Sequence, residues 1–201
     1  MTTLDLKTKI NNSTKPSREE AEQAVRTLIK WLGDNPNREG LKDTPKRVVN
    51  YYTEMFSGYL SNPDMILSKT FSDVDNYNEL VLLKDIEFES CCEHHMLPVI
   101  GVAHVAYIAQ NKLVGLSKLA RLVDVYAKRL QTQEGMTAQI LQSLESALQP
   151  KGAYVIIEAK HQCMSIRGVH KSNSYTITEK FSGCFQSYEM QQRVRSLICK
   201  K

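Results

Sequence analysis

No apolar run in this 201-residue chain approaches the roughly 20 residues needed to cross a bilayer. Its opening segment, MTTLDLKTKINNSTKPS, has no apolar core, so it is not read as a secretory leader. There is no block of lysine and arginine. The 26 basic residues stand against 22 acidic ones, for a net charge of +4. An excess this small fits an anionic ligand and gives no reason to expect nucleic acid. Cysteines number five, and two of them are adjacent, which excludes a disulfide framework of the secreted kind. The expected compartment is therefore the cytoplasm, with no membrane partner, and there cysteines more often bind metal or do chemistry. Internal repeats and low-complexity segments are also absent.

What is present is enough for a core. Apolar residues make up 42% of the chain, and the length suits one domain with a helical extension. In SREEAEQAVRTLIKWLG, Ser17 and Glu20 form a capping box, apolar residues recur at helical spacing, and Gly33 ends the pattern. TPKRVVNYYTEMFSG predicts a second helix, with Thr44 as N-cap and Pro45 at the first helical position. From about residue 64 the character changes. MILSKTF, ELVLLKDIEFES, VIGVAHVAYIAQ and KLVGL read as strands. SKLARLVDVYAKRLQ and TAQILQSLESALQ read as helices, the first with Leu130 on its apolar stripe. GAYVIIEAKHQC and SYTITEKFSG return to strand. This grouping predicts an α+β fold with an antiparallel sheet. A helical N-terminal region, residues 1–62, would precede a sheet domain over 63–201.

The segment FESCCEHH concentrates metal-ligating residue types behind a strand. Cys92 and His95 have the spacing of two ligands in a tight turn, and Cys163, at the end of a strand run, is the best third candidate. Two thiolates and one imidazole suit Zn²⁺ and leave one position for water. His94 and His161 would lie beside the metal, where a group titrating near neutrality can move protons. A lone C-x-x-H is weak evidence, and a Cys92/His nucleophile pair is the alternative, though no orienting third group marks it. His104 reads as a satisfied strand histidine, His170 as a loop residue and Cys91 as an inward-packing one.

Two further clusters are polar. GLSKLAR puts Lys118 and Arg121 on the first turn of a helix, whose free N–H groups and dipole already favour anions. Arg167 could add another fork, and an ordinary solvated face is the plainer reading. In QTQEG, Gln133 and Glu134 precede a helix. The carboxylate either caps that helix or accepts two hydrogen bonds from a guanine edge.

Taken together, CEHHMLPVIGVAHVAYI, VGLSKLARLVDVYAKRLQTQEGMTAQI and EAKHQCMSIRGV resemble the GTP cyclohydrolase I family, as does EGLKDTPKRV upstream. The resemblance runs over about residues 17–185. It implies a tunnelling fold: an antiparallel sheet with two helices on one face, preceded by a helical region. It implies zinc on Cys92, His95 and Cys163, with His94 and His161 as acid/base groups and Ser117 as a further proton mover. Ser117, Lys118, Arg121 and Arg167, with Arg47 a further contact, would hold the ribose and triphosphate. Gln133 and Glu134 would bind the purine. The implied reaction opens the imidazole ring of GTP at C8, releases formate and, after an Amadori rearrangement and ring closure, gives 7,8-dihydroneopterin triphosphate, at the head of tetrahydrofolate and pterin biosynthesis. Two face-to-face pentameric rings would form a decamer with active sites between subunits.

Departures are few. Gly135-Met136 stands where the family often has Arg-Leu, and a glycine there would loosen the helix start. The tail FQSYEMQQRVRSLICKK runs past the expected end of the pattern, as an amphipathic helix or a free end. Rival readings are another tunnelling-fold enzyme, a pterin synthase or a nitrile reductase, and a binding module whose structural zinc would take Cys91 as a fourth ligand.

Overall fold

A computed structural model of the chain describes residues 15–72 and 77–199. Helix α1 (Arg18–Trp31) starts at Ser17, whose Oγ accepts from the Glu20 N–H while Glu20 Oε2 accepts from the Ser17 N–H. Helix α2 (Thr44–Met55) packs on α1. Asp43, not Thr44, is its N-cap residue, and Thr44 and Pro45 form its first turn. Of the apolar stripe of α1, Ile29 is buried while Leu28 and Leu32 remain exposed.

The predicted strand over MILSKTF is mostly helix. Asn62 caps α3 (Pro63–Leu67) by accepting from the Asp64 N–H, and the proline supplies the φ of a first helical turn. Leu67 then enters the core, and only β1 (Thr70–Phe71) is extended.

Five strands form the main sheet in the order β5-β2-β3-β6-β7. They are β2 (Leu80–Cys92), β3 (Pro98–Ile108), β5 (Leu130–Gln131), β6 (Gly152–His161) and β7 (Thr176–Phe181). Pairing is antiparallel except that β5 runs parallel to the end of β2, Leu130 beside Cys91 and Gln131 beside Cys92. The register puts Cys92, Val99 and His161 at one end of the sheet and Leu80, Ile108 and Gly152 at the other. A separate ribbon joins β1 to β4 (Leu113–Val114).

Helices α4 (Leu116–Ala127) and α5 (Gln133–Leu148) cover one face of the sheet. Leu119, Leu122, Ile140 and Leu144 are fully buried there against Val105, Tyr107, Val155 and Ile157. The apolar stripe stops before Leu130, because the chain leaves the helix at Lys128 to make β5. Arg129 fixes that exit. Its buried guanidinium donates to Gly58 O and Ser61 O and lies over the rings of Tyr59 and Tyr126. Arg129→Met removes the side-chain donor from both carbonyls, leaving Gly58 O only the Ser61 N–H, and we expect a loss of about 2–4 kcal/mol in denaturant unfolding.

The tail is an ordered helix, α7 (Tyr188–Cys199), on the other face of the sheet. Val194 packs there with Ala106, Tyr154, Ile156 and Phe185. Arg195 clasps Glu179, which also accepts from the Tyr154 hydroxyl.

His104 is less satisfied than its strand position predicts. Nδ1 accepts from the Asp85 N–H at a bulge in β2, so the proton sits on Nε2, which is buried without a hydrogen-bond partner among the described residues, 3.8 Å from Glu158. Burial lowers its pKa more than Asp85 and Glu158 raise it, with Lys84 adding to the lowering. Below an unfolded pKa of about 6.5 the unfolded chain binds more protons than the folded one, so stability falls on acidification. His104→Gln offers the same acceptor and donor without titrating. Its stability should fall less than that of the wild type between pH 7.5 and 5.5, measured by denaturant unfolding.

Candidate active site at the β2–β3 turn

The hairpin between β2 and β3 closes tightly: the Cys92 N–H donates to Leu97 O and the Met96 N–H to Cys92 O. Glu93 N–H donates to Gln131 O, so β5 braces the turn from outside. Gln131 is itself held, donating to Tyr126 O and Gln139 Oε1. This closure presents Cys92, His94 and His95 at the sheet end where β6 finishes. There His161 leads into α6 (Gln162–Ser165), which carries Cys163.

The ligand atoms of Cys92, His95 and Cys163 all lie within 4.8 Å of one another. Among the described residues no fourth His, Cys, Asp or Glu joins them; Cys91, on the same strand, lies near Tyr52 instead. Burial and contact with Cys92 push the Cys163 thiol up, and Arg167 in the next turn opposes this. Two thiols in close contact are a pair that a divalent cation would bind as thiolates. Two sulfurs and one imidazole nitrogen suit zinc, and three protein ligands leave a coordination position free. The residues therefore fit the metal.

His94 is mostly exposed, with Nδ1 3.9 Å from Cys92 Sγ. His161 is half-buried. Burial lowers its pKa, and the neighbouring Glu134 opposes this. Helix α5 supplies Gln133 and Glu134. Both lie in its first turn, not ahead of it, because Thr132 is the cap and its Oγ1 accepts from the Gly135 N–H. Glu134 is exposed, whereas Gln133 is buried. Gly135 belongs to that cap: a Cβ there would stand 2.9 Å from Thr132 Oγ1.

Ser117, Lys118 and Arg121 do not join this group within the chain. They lie at the start of α4, just after Val114, whose N–H donates to Tyr107 at the far end of the sheet. The other end of α4 lies toward the β2–β3 turn, where Lys128 pairs with Glu89 on β2. Twelve helical residues span about 18 Å. Arg47 is on α2, exposed, 3.9 Å from Asp43. The sequence reading missed Gln131 and Arg129, which hold β5. No local signal marked them, since they stand in the polar run Lys128 to Glu134 with Leu130 its one apolar residue.

The family model described as GTP cyclohydrolase I matches residues 21–199, including the tail that had looked like an extension. Proteins named GTP cyclohydrolase 1 are 58% identical over 175 residues in Maricaulis maris, covering 87% of this chain and 85% of that one. They are 56% identical over 183 residues in Allorhizobium ampelinum (91% and 90%) and 54% over 184 in Brucella anthropi (91% and 86%). A solved apo structure of an archaeosine synthase QueF-like protein overlaps 52% of this chain and 93% of its own at TM-score 0.43 and 20% identity, a likeness too weak to add to the argument. The three-donor cluster, the histidines around it and an α+β sheet with two helices on one face all accord with a match that spans nearly the whole sequence, and the chain belongs to the GTP cyclohydrolase I family.

Proposed function

We propose that this chain converts GTP and water to 7,8-dihydroneopterin triphosphate and formate. The observation that carries the reading is the Cys92/His95/Cys163 cluster with His161 and Glu134 beside it, in a chain of this family. A zinc ion on those three donors supplies a Lewis acid that makes hydroxide available near neutral pH.

The remaining work falls to the side chains. The exposed Glu134 carboxylate accepts the N–H and NH₂ edge of guanine, which sets the imidazole side of the purine toward the cluster. His161 moves the proton exchanged at N7 as the ring opens. His94, exposed on the rim, and Ser117 serve the proton transfers of the ribose rearrangement. Lys118, Arg121 and Arg167 bind the triphosphate, and Arg47 adds to that field.

This division of labour needs more than one copy. Ser117 and Lys118 stand at the end of α4 remote from the cluster of their own chain. A second copy that sets its α4 N-terminus against the first copy's β2–β3 turn completes the site. Open sheet edges favour such contacts. Apart from Cys91 and Cys92, β2 is unpaired on its outer side, and β7 pairs with β6 alone, among the described residues. Exposed Trp31, Leu32, Leu60 and Ile177 add apolar surface that association would cover. The decamer of two pentameric rings is the assembly we infer, with an N-terminal arm and helical region up to residue 62, of which residues 1–14 lie outside those described, and 63–201 as the catalytic domain. No helix among the described residues is long and apolar enough to cross a membrane. A cytoplasmic location accords with the cysteine usage.

The test is incubation of the purified protein with GTP, with and without a strong zinc chelator. Formate and an oxidisable, fluorescent pterin should appear together and vanish together on chelation. Neither product from metal-loaded protein would sink the enzyme reading and favour a nucleotide-binding module.

A further inference from the structure

Gln133 was expected at the purine, but its amide is already committed. The side chain is buried, at 5% exposure. Its Nε2 donates to two main-chain carbonyls, Ile157 O on β6 and Thr176 O at the start of β7, each at 3.0 Å. Both N–H groups of the amide are thereby used. The two carbonyls also fix which way the amide points. Turned over, Oε1 would face two acceptors and lose both hydrogen bonds. Oε1 is therefore the atom 2.8 Å from His161 Nε2. A ring nitrogen facing a carbonyl oxygen must carry the hydrogen.

We propose that Gln133 is a positioning residue: it holds the His161 ring by Nε2–H···Oε1 and leaves Nδ1 as the ring nitrogen free to exchange a proton. The inference rests on the cyclohydrolase reading only for what that ring then does. Any proton that His161 exchanges with the purine passes through Nδ1, while the hydrogen on Nε2 stays with Gln133. The backbone around Gln133 is fixed too. Thr137 Oγ1 donates to Gln133 O and meets Thr178 Oγ1 at 2.7 Å, tying the first turn of α5 to β7. His161 thus takes its orientation from the joint between α5, β6 and β7. Purine recognition at this turn rests on Glu134, whose side chain is exposed.

The direct test is solid-state ¹⁵N NMR of the metal-loaded wild type, labelled on histidine, at pH 8. The His161 signals are assigned by their loss in His161→Asn. A protonated, pyrrole-type Nε2 is expected. The opposite tautomer, with an unprotonated Nε2, overturns the proposal whatever the enzyme does with GTP. Gln133→Leu gives the second measurement. With GTP it should lower kcat about 10- to 100-fold and leave KM within about twofold, and the ring should no longer be a single tautomer. A raised KM with unchanged kcat would make Gln133 a purine contact and reject the positioning role. Absence of turnover in the wild type would reject the cyclohydrolase reading while leaving the tautomer result standing.

Discussion

Cys163→Ala should lose bound zinc and lower formate release from GTP by at least about 1,000-fold, with the fold kept. The size follows from what the metal supplies. Without it, water must attack as a far weaker acid than it would be on zinc. Two donors cannot replace three, because Cys92 and His95 alone leave the ion open to solvent and to competing chelators. Cys163 is also the safest of the three to remove. It sits on the short α6, partly exposed, whereas Cys92 is part of the buried core. Zinc per chain, measured by mass spectrometry of the metal, and circular dichroism separate the two effects. Full activity in a zinc-free Cys163→Ala protein would remove the cluster from the chemistry.

Mixing two inactive proteins should restore activity. A Lys118→Ala/Arg121→Ala double variant keeps the cluster and loses the triphosphate cations. Cys163→Ala does the reverse. If each site takes its cluster from one chain and the start of α4 from another, some sites in a co-assembled mixture are intact. At equal amounts, half the chains carry each half-site, so about a quarter of the sites recover. Sites built within one chain recover none. The two parents must be unfolded and refolded together, or co-expressed, so that chains exchange. Light scattering then shows whether the mixed particle keeps the mass of the wild-type assembly.

Legibility in the sequence followed the strength of local signals. The capping box at Ser17, the strand runs of β2, β3 and β6, and the stripes of α4 and α5 stood in the pattern because α4 and α5 bury one face each and the central strands β3 and β6 bury both. The cluster was legible because few cysteines and histidines compete for it. What failed was what tertiary contacts decide. MILSKTF has strand-like composition, yet an Asn-Pro start makes it a helix that drops Leu67 into the core. Leu130 keeps the helical spacing of α4, but Arg129 pulls the chain out to pair with Cys91. Gln133 carries no mark in the sequence that its amide is buried on the carbonyls of Ile157 and Thr176. Nor does spacing along the chain reveal that the cations of GLSKLAR and the cluster lie at opposite ends of one sheet.

The most direct measurement uses GTP labelled with ¹⁴C at C8 and follows the label in a single reaction with the zinc-loaded protein. Label recovered in formate, equimolar with 7,8-dihydroneopterin triphosphate, is the predicted result. Label retained in a guanine nucleotide, whether intact GTP or a product shortened in its phosphate chain, would contradict ring opening at C8 and with it the assignment of the site.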